Sequence, residues 1–153
     1  MFPKLPVTRP VIDGYRVAGP LSGYHGSDLR LVYEFRNGPK EGIYSTSKKS
    51  LVVPMDFLGV SYLGPEIFAV KLENGGTGIY SAEKQKVFPM EAGVWVCDEI
   101  APGFIQVWLG RVCGLYSLRE ERLVLPIAYD SMVVKSGKIV ANGFDHIKEI
   151  EIA

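Results

Sequence analysis

A four-residue motif recurs at an even spacing along this chain and constrains its fold more than any other feature. Gly-Ile-Tyr-Ser occurs at 42–45 and again at 78–81, and Gly-Leu-Tyr-Ser follows at 114–117. The period is therefore 36 residues. Self-similarity at such a spacing is typical of repeat architectures, in which one supersecondary unit is copied along the chain.

Each copy of the motif stands in the same order of local signals. A polar stretch follows the motif and leads to a short apolar run that ends in proline, at Pro54, Pro89 and Pro126. Proline lacks a backbone donor and restricts the residue before it, so we expect it to end a strand. Alternating runs at 31–35, 67–72 and 104–109 precede the motif and lead into glycine-containing turns. They predict half-buried strands closed by tight hairpins.

These signals predict an all-β protein built from three-stranded antiparallel meanders. A single meander cannot bury its apolar face, so neighbouring copies must pack together. The assembly would be a curved stack or a partly closed, barrel-like or propeller-like structure, and closure would remove exposed sheet edges. We expect one domain over residues 1–153 with roughly three and a half repeats: a partial repeat at 10–41, repeats at 42–77, 78–113 and 114–149, and a closing strand at 146–152.

Composition excludes several functional classes. Seventeen basic and seventeen acidic residues cancel, so no overall positive field draws the protein onto nucleic acid or an anionic membrane. The first eight residues contain no long apolar run, which predicts a cytoplasmic protein without a signal peptide or membrane span. Cys97 and Cys113 have no histidine nearby in sequence and predict two reduced, structural cysteines.

The repeat resembles the bacterial WG β-repeat proteins. The resemblance covers residues 31–130 and lies in a glycine that opens a short aromatic strand, a polar turn, an apolar run ending in proline, and Tyr129-Asp130 just beyond. The places of the namesake tryptophan hold Glu41, Thr77 and Cys113. The resemblance implies a recognition module without catalytic residues, and similar small all-β proteins occur among the immunity partners of bacterial toxins.

Few residues offer catalytic chemistry. His25 shares a glycine-rich loop with Ser27 and Asp28, but catalytic triads assemble from separate elements rather than from adjacent residues. Asp98 and Glu99 form an acidic pair near two tryptophans, yet neighbours in a strand point to opposite faces. We therefore expect no catalytic site, no metal and no cofactor. The alternative is a small-ligand-binding protein or hydrolase with His25 or the acidic pair in a pocket at one end of the β-assembly.

The segments that differ most between copies predict a partner-binding face. They lie between each proline and the next alternating run, where loops of repeat proteins cluster on one side. Their charges are all negative, whereas the polar turns after the motif lean positive. Aromatic anchors with acidic neighbours suit a protein partner with a basic surface. The predicted partner-binding residues are Tyr24, Asp28, Asp56, Phe57, Tyr62, Glu66, Glu91, Trp95, Asp98 and Glu99.

Two further questions concern the partner and the motif tyrosines. The sharpest form of the hypothesis is a toxin-neutralising immunity protein, monomeric or a small homo-oligomer, that covers a basic active-site cleft. A structural module that associates through a sheet edge is an alternative. Tyr44, Tyr80 and Tyr116 occupy one repeat position, and we expect them to pack between repeats, with a binding face as the other possibility.

Overall fold

The computed structural model describes residues 11–12, 14–19, 21–33 and 40–152, and within them the chain forms antiparallel sheets without a helix. No helix there is long and apolar enough to cross a membrane. Four sheets follow one another along the chain, and in each the strands lie in sequence order. The first contains β1 (Val11–Ile12), β2 (Tyr15–Gly19), β3 (Leu29–Tyr33), β4 (Glu41–Ser45) and β5 (Ser50–Phe57).

The three later sheets repeat the same meander. The second contains β6 (Gly59–Gly64), β7 (Ile67–Lys71), β8 (Thr77–Ser81) and β9 (Lys86–Pro89). The third contains β10 (Trp95–Ala101), β11 (Phe104–Leu109), β12 (Val112–Ser117) and β13 (Arg122–Tyr129). The fourth contains β14 (Ser131–Lys135), β15 (Lys138–Asn142) and β16 (Ile147–Glu151).

The all-β class is confirmed, and the number of strands in each unit is corrected. The second and third sheets have four strands rather than three, because segments interpreted as loops form β6 and β10. The predicted unit 78–113 therefore runs across two sheets, and so do its neighbours. The predicted closing strand is β16, which pairs with β15. The first ten residues, including the start of the partial repeat, lie outside the described residues.

The prolines do not all end their strands. Pro89 is the last residue of β9, but β5 continues past Pro54 and β13 past Pro126. β5, β9 and β13 are the outermost strands of their sheets. An edge strand tolerates proline because its missing donor faces no partner. The proline thus marks a sheet edge rather than a strand end.

Consecutive sheets stack face to face around three apolar cores. The first core joins residues of the first two sheets, such as Ile43 and Val53 with Phe68 and Val70. A second core lies between the second and third sheets and a third between the third and fourth. Each internal sheet is therefore buried on both faces, which is why β8 and β12 are apolar without alternation.

The motif connects each sheet to both of its neighbours. Ile79 packs toward the third sheet, whereas Tyr80 packs back against Phe57 of the first, with ring centroids 5.8 Å apart. Tyr116 packs back in the same way on Phe88, at 6.0 Å. All three motif tyrosines are nearly fully buried. The prediction that they pack between repeats is confirmed for Tyr80 and Tyr116, and Tyr44 packs on Tyr15.

The motif serine closes the turn that follows it. Ser81 Oγ accepts the backbone N–H of Lys84 at 3.1 Å, and Ser45 and Ser117 do the same for the third residue after them. The last residue of each turn has a positive φ of 52–55°, although it is never glycine. Those left-handed residues are Lys49, Gln85 and Glu121.

The two ends of the stacked sheets form different rims. We call the end where the chain passes between sheets the connector rim; it carries the links at 58, 90–94 and 130 and the hairpins at 72–76, 110–111 and 143–146. The opposite end, the turn rim, carries the motif turns at 46–49, 82–85 and 118–121 and the turns at 65–66, 102–103 and 136–137.

Candidate functional site

The structure divides the ten predicted partner-binding residues between both rims. β6 and β10 each cross from the connector rim to the turn rim, so each predicted loop contributes to both ends. The expectation of one acidic rim opposite a positive one is therefore wrong for this set. Asp56, Phe57, Glu91 and Trp95 lie at the connector rim; Tyr24, Asp28, Tyr62, Glu66 and Glu99 lie toward the turn rim; Asp98 lies midway along β10.

Four of these residues meet in a small pocket between the first and second sheets. Tyr24, Asp28, Tyr62 and Glu66 line it, and its volume is about 200 Å³. The rings of Tyr24 and Tyr62 pack together with centroids 4.9 Å apart. Sites for small organic ligands usually enclose roughly 300–1,000 Å³. This pocket is therefore smaller than an ordinary ligand site.

The carboxylates around this pocket are hydrogen-bonded or ion-paired with neighbouring groups. The Tyr24 hydroxyl donates to the Asp28 carboxylate, which lowers the pKa of Asp28 and raises that of Tyr24. Glu66 lies 3.5 Å from Lys48 of the adjacent motif turn. The carboxylates of Asp28 and Glu66 therefore contact groups of neighbouring turns. They contribute to packing within the protein and do not present free negative charge.

The acidic pair on β10, Asp98 and Glu99, accepts hydrogen bonds from groups nearby in the chain. Glu99 accepts the backbone N–H of Gly103 at 3.1 Å and closes the β10–β11 turn. Asp98 accepts the thiol hydrogen of Cys97 at 3.2 Å. Partial burial and this contact raise the pKa of Cys97 to about 11. The two carboxylates do not converge on a shared point, as the alternation of strand residues predicts.

A larger cleft opens at the connector rim between the second and third sheets. Its volume is about 500 Å³, and Trp95, 68% exposed, stands at its edge. Thr77 Oγ1 donates to the carbonyl of Val94 at 2.5 Å and joins the two sheets there. Lys71 supplies the one charged side chain of the lining, whose other members are small or apolar: Gly59, Val60, Ser61, Ala69, Val70, Gly75, Gly76, Thr77, Gly93, Val94 and Val96.

The cleft exists because one repeat position is filled differently in each sheet. Leu31, Ala69 and Gln106 each pair with the second residue of their motif, Ile43, Ile79 and Leu115 respectively. Leu31 packs into the core between the first two sheets. Ala69 lacks the three further carbons of leucine, and Gly59 and Ser61 beside it are also small. The space that a leucine fills in the first sheet thus stays open in the second.

Four of the seven large apolar side chains that are exposed in the described part of the chain lie at the connector rim, whereas Leu123 lies on the turn-rim half of β13 and Val133 and Val134 lie on β14. Leu109 lies next to the cleft, since a Cβ on Gly93 would approach its side chain to 3.2 Å. Phe144, 96% exposed, and Ile147 project from the β15–β16 hairpin. Sequence reasoning missed these three residues. The signal was present in Phe144, a large aromatic placed between the turn formers Gly143 and Asp145.

The same rim carries more acidic than basic side chains. Among the described residues near this end, six carboxylates stand against five basic groups. The carboxylates are Glu41, Asp56, Glu73, Glu91, Asp130 and Asp145, and the basic residues are Arg16, Lys40, Lys71, Arg111 and Lys148. Lys40 is held by Glu73 at 2.6 Å, and the negative charge of Asp56 also contributes to its raised pKa.

The residues that the alternative, enzymatic hypothesis would use do not line either cleft. Neither the pocket lined by Tyr24 nor the cleft beside Trp95 includes His25, Asp98 or Glu99 in its lining. His146 contacts Asp145 at 2.9 Å, on the exposed hairpin. Within the described part of the chain, no three His, Cys, Asp or Glu residues come together in a group that could hold a metal ion.

Comparison with known proteins gives matches of low sequence identity among solved structures. No family model matches the chain, and no curated protein matches it either. Among solved structures, Hsv2p of Kluyveromyces lactis is 16% identical with a TM-score of 0.45, over 88% of this chain and 47% of that one. The computationally designed Ika4 protein is 8% identical with a TM-score of 0.46, over 90% and 96%.

A third similar structure is BamB from Moraxella catarrhalis, 7% identical with a TM-score of 0.42, over 88% of this chain and 44% of that one. The structures found in this way are β-propeller-like proteins. The chain spans less than half the length of the Kluyveromyces lactis structures it matches.

Proposed function

We propose that this chain is a non-catalytic protein-recognition module that binds its partner through the connector rim. The observation that carries the proposal is that this rim holds four exposed apolar side chains, those of Trp95, Leu109, Phe144 and Ile147. Large apolar groups left in water at one end of a protein are typical of an interaction surface. Tryptophan in particular is enriched among residues that dominate binding energy.

The partner in this proposal has a basic surface. Exposed carboxylates of the rim, such as Glu91, would contact it. This hypothesis is kept with a changed set of residues, of which Asp56, Glu91 and Trp95 remain. Phe57 is removed, because it is buried in the first core against Tyr80, and Asp98 and the residues of the turn rim are removed as well. The most specific version is a cytoplasmic immunity protein that covers the basic cleft of a bacterial toxin.

The finer architecture belongs to the same proposal. We propose that the repeats form a curved, partly closed, propeller-like array, in which each sheet is one blade. One support is that consecutive sheets share their apolar cores. Another lies at the turn rim, where the backbone N–H of Ile152 donates to the carbonyl of Gly137, just as the N–H of Leu118 donates to the carbonyl of Gly103. The relation to the WG β-repeat proteins stays a prediction. Small-angle scattering would separate a closed ring from an open arc by its radius of gyration.

Co-purification tests the function. The tagged chain is used to capture the product of its neighbouring gene, and the Trp95→Ala and Phe144→Ala variants are compared with the parent. Truncation of a central anchor costs at least about 2 kcal/mol, or roughly thirtyfold in affinity. Leu123→Ala, an exposed leucine on the turn-rim half of β13, is the matched control. Unchanged capture by both rim variants contradicts the proposal.

A further inference from the structure

The fourth sheet packs on the third with one face and leaves its other face largely exposed. Ile139 and Ile150 belong to the apolar core that the two sheets share, so the alternate residues of their strands point the opposite way. We call this opposite side the outer face. Its charged residues are Lys135, Lys138, Glu149 and Glu151, of which all but Lys138 are exposed.

Strand register identifies what the repeat places at two of these positions. Lys138 begins β15 as Phe104 begins β11, and Glu149 pairs with the third residue of β15 as Leu115 pairs with the third residue of β11. Phe104 and Leu115 pack in the core between the third and fourth sheets. The corresponding residues of the second sheet, which pack toward the third, are Ile67 and Ile79. The outer face thus carries charge where the two internal sheets carry hydrocarbon.

The charged residues form an ion-paired group on the outer face. Lys138 Nζ lies 3.4 Å from Glu149 and 3.8 Å from Glu151. A sheet stacked on this face would remove these charges from water, and that desolvation can cost more than the attraction of the pair returns. Val133 and Ile147 are exposed on the same face but stand on its two outermost strands, with β15 between them. The face therefore offers no continuous apolar surface to a further sheet.

The outermost strand of this sheet also departs from the repeat. Among the described strands β16 pairs with β15 alone, and Lys148 occupies the place of the motif glycine. In the first and second sheets a Cβ at that place would lie 2.6 Å and 3.0 Å from a carbonyl oxygen of the adjacent outer strand. A strand added to β16 in the geometry of the repeat would therefore collide with Lys148.

Pairing of β16 with β16 of a second copy would bring like charges together. An antiparallel pair centred on Glu149 places that glutamate opposite itself, and one centred on Ile150 places Glu149 opposite Glu151. A pair centred on Lys148 places lysine opposite lysine. Like charges directly opposite on neighbouring strands are destabilising, and charged side chains on an edge strand oppose edge-to-edge association.

We propose that the fourth sheet is a cap that stops association at its end of the array. Lys138, Glu149 and Glu151 prevent a further sheet from stacking on the outer face, as terminal units with a polar outer face do in repeat proteins. Lys148 prevents a further strand from adding to β16. The array stays open at this sheet. This inference goes beyond the proposed function, because it concerns the assembly of the protein rather than its partner.

Restoring the apolar residues of the repeat tests the proposal. The apolar variant, Lys138→Phe with Glu149→Leu, carries the residues that the third sheet has at both positions. The matched control, Lys138→Gln with Glu149→Gln, removes the charges and keeps the positions polar. Every protein, the parent included, also carries Phe144→Ala, so that association through that exposed side chain does not enter the comparison. Light scattering after gel filtration measures the mass of each protein as a function of concentration.

We expect the apolar variant to self-associate at a concentration at least about tenfold lower than the parent, because each copy exposes two large apolar side chains. The glutamine control should keep the mass of the parent. Adding Val140→Glu, at the centre of the outer face, should reverse the association of the apolar variant. Adding Leu123→Glu, on β13 of the third sheet, should not reverse it.

Three results overturn the proposal. The first is an apolar variant, folded by circular dichroism, that keeps the mass of the parent at every concentration. The second is association of the apolar variant that Val140→Glu leaves unchanged, since it would then involve another surface. The third is a parent that itself associates and loses this association with Val140→Glu. If the apolar variant does not fold, Glu149→Leu alone is measured by the same criteria.

Discussion

Replacing the motif glycine with alanine should destabilise the protein to a different extent in each sheet. A Cβ at Gly42 would lie 2.6 Å from the carbonyl oxygen of Val53 and 3.0 Å from the backbone nitrogen of Met55. At Gly114 it would lie 2.9 Å from the carbonyl of Leu125, and at Gly78 3.0 Å from that of Phe88. At Gly42 and Gly78 the closest approach is to backbone, which cannot rotate away; at Gly114 the closest atom is Ile127 Cγ1 at 2.8 Å, with backbone atoms of Leu125 and Ile127 at 2.9 and 3.0 Å.

The difference between sheets follows from strand register. Gly42 and Gly114 lie at register shifts, where the outer strand bulges and neither glycine has a direct partner on that outer strand. Gly78 pairs regularly with Pro89, so the outer strand can yield by a few tenths of an ångström. Overpacking costs roughly 1–3 kcal/mol. Glycine in a strand is itself worse than alanine by about 0.5–1 kcal/mol.

We therefore expect Gly42→Ala and Gly114→Ala to lose about 2 kcal/mol and Gly78→Ala less than about 1 kcal/mol. For a chain of this size the larger loss lowers the melting temperature by roughly 4–8 °C. Gly59→Ala is the control, because its Cβ would meet Lys71 at an ordinary 3.6 Å. Urea and thermal unfolding by circular dichroism measure all four. Equal stability of Gly42→Ala and Gly59→Ala would refute the close-approach argument.

Three further predictions concern packing, the turn and the thiol. Tyr80→Ala should lose about 3–5 kcal/mol of unfolding free energy in urea, because the ring is buried on Phe57; a loss below 1 kcal/mol would contradict its role between sheets. Ser81→Ala should lose about 1 kcal/mol, because the N–H of Lys84 loses its acceptor; Ser50→Ala, at the exposed start of β5, is the control. Cys97 should react slowly with iodoacetamide at pH 7.5 and faster as the pH rises toward its raised pKa of about 11. Asp98→Asn removes a charge that favours the neutral thiol, so the pKa should fall and alkylation at pH 7.5 should accelerate; an unchanged rate by mass spectrometry would count against this cause.

The sequence predicted the strands that carry strong patterns. The motif strands β4, β8 and β12 and the alternating strands before them appear where the period places them. β6 and β10 were missed for identifiable reasons. β6 begins and ends with glycine, and β10 contains two register shifts that break its alternation, besides two adjacent carboxylates. Bulged or glycine-bounded strands resemble loops in sequence.

That omission accounts for the error in the candidate site. Each additional strand carries the chain from one rim to the other, so counting three strands instead of four reverses the end at which the later residues lie. Tyr62 and Glu66 were grouped with Asp56 on one side of β6, whereas β6 separates them by the height of the sheet. Trp95, which was predicted to bind a partner, is exposed because it begins β10 at the connector rim. Local composition could not predict at which rim a residue lies, because that depends on the number of strands that precede it.

The position shared by Leu31, Ala69 and Gln106 shows how one repeat can contain both scaffold and site. Leu31 fills its space with hydrocarbon, Gln106 is buried and interacts with Cys113, and Ala69 leaves its space empty. If the open space beside Ala69 serves binding and lowers stability, filling it should have the opposite effect. Ala69→Leu should then raise the free energy of unfolding by about 1 kcal/mol, through burial of added hydrocarbon. The reciprocal Leu31→Ala should lose about 2 kcal/mol, as truncation leaves a cavity. Urea unfolding of both variants decides the point, since a destabilised Ala69→Leu would mean that the cleft is too narrow for a leucine side chain.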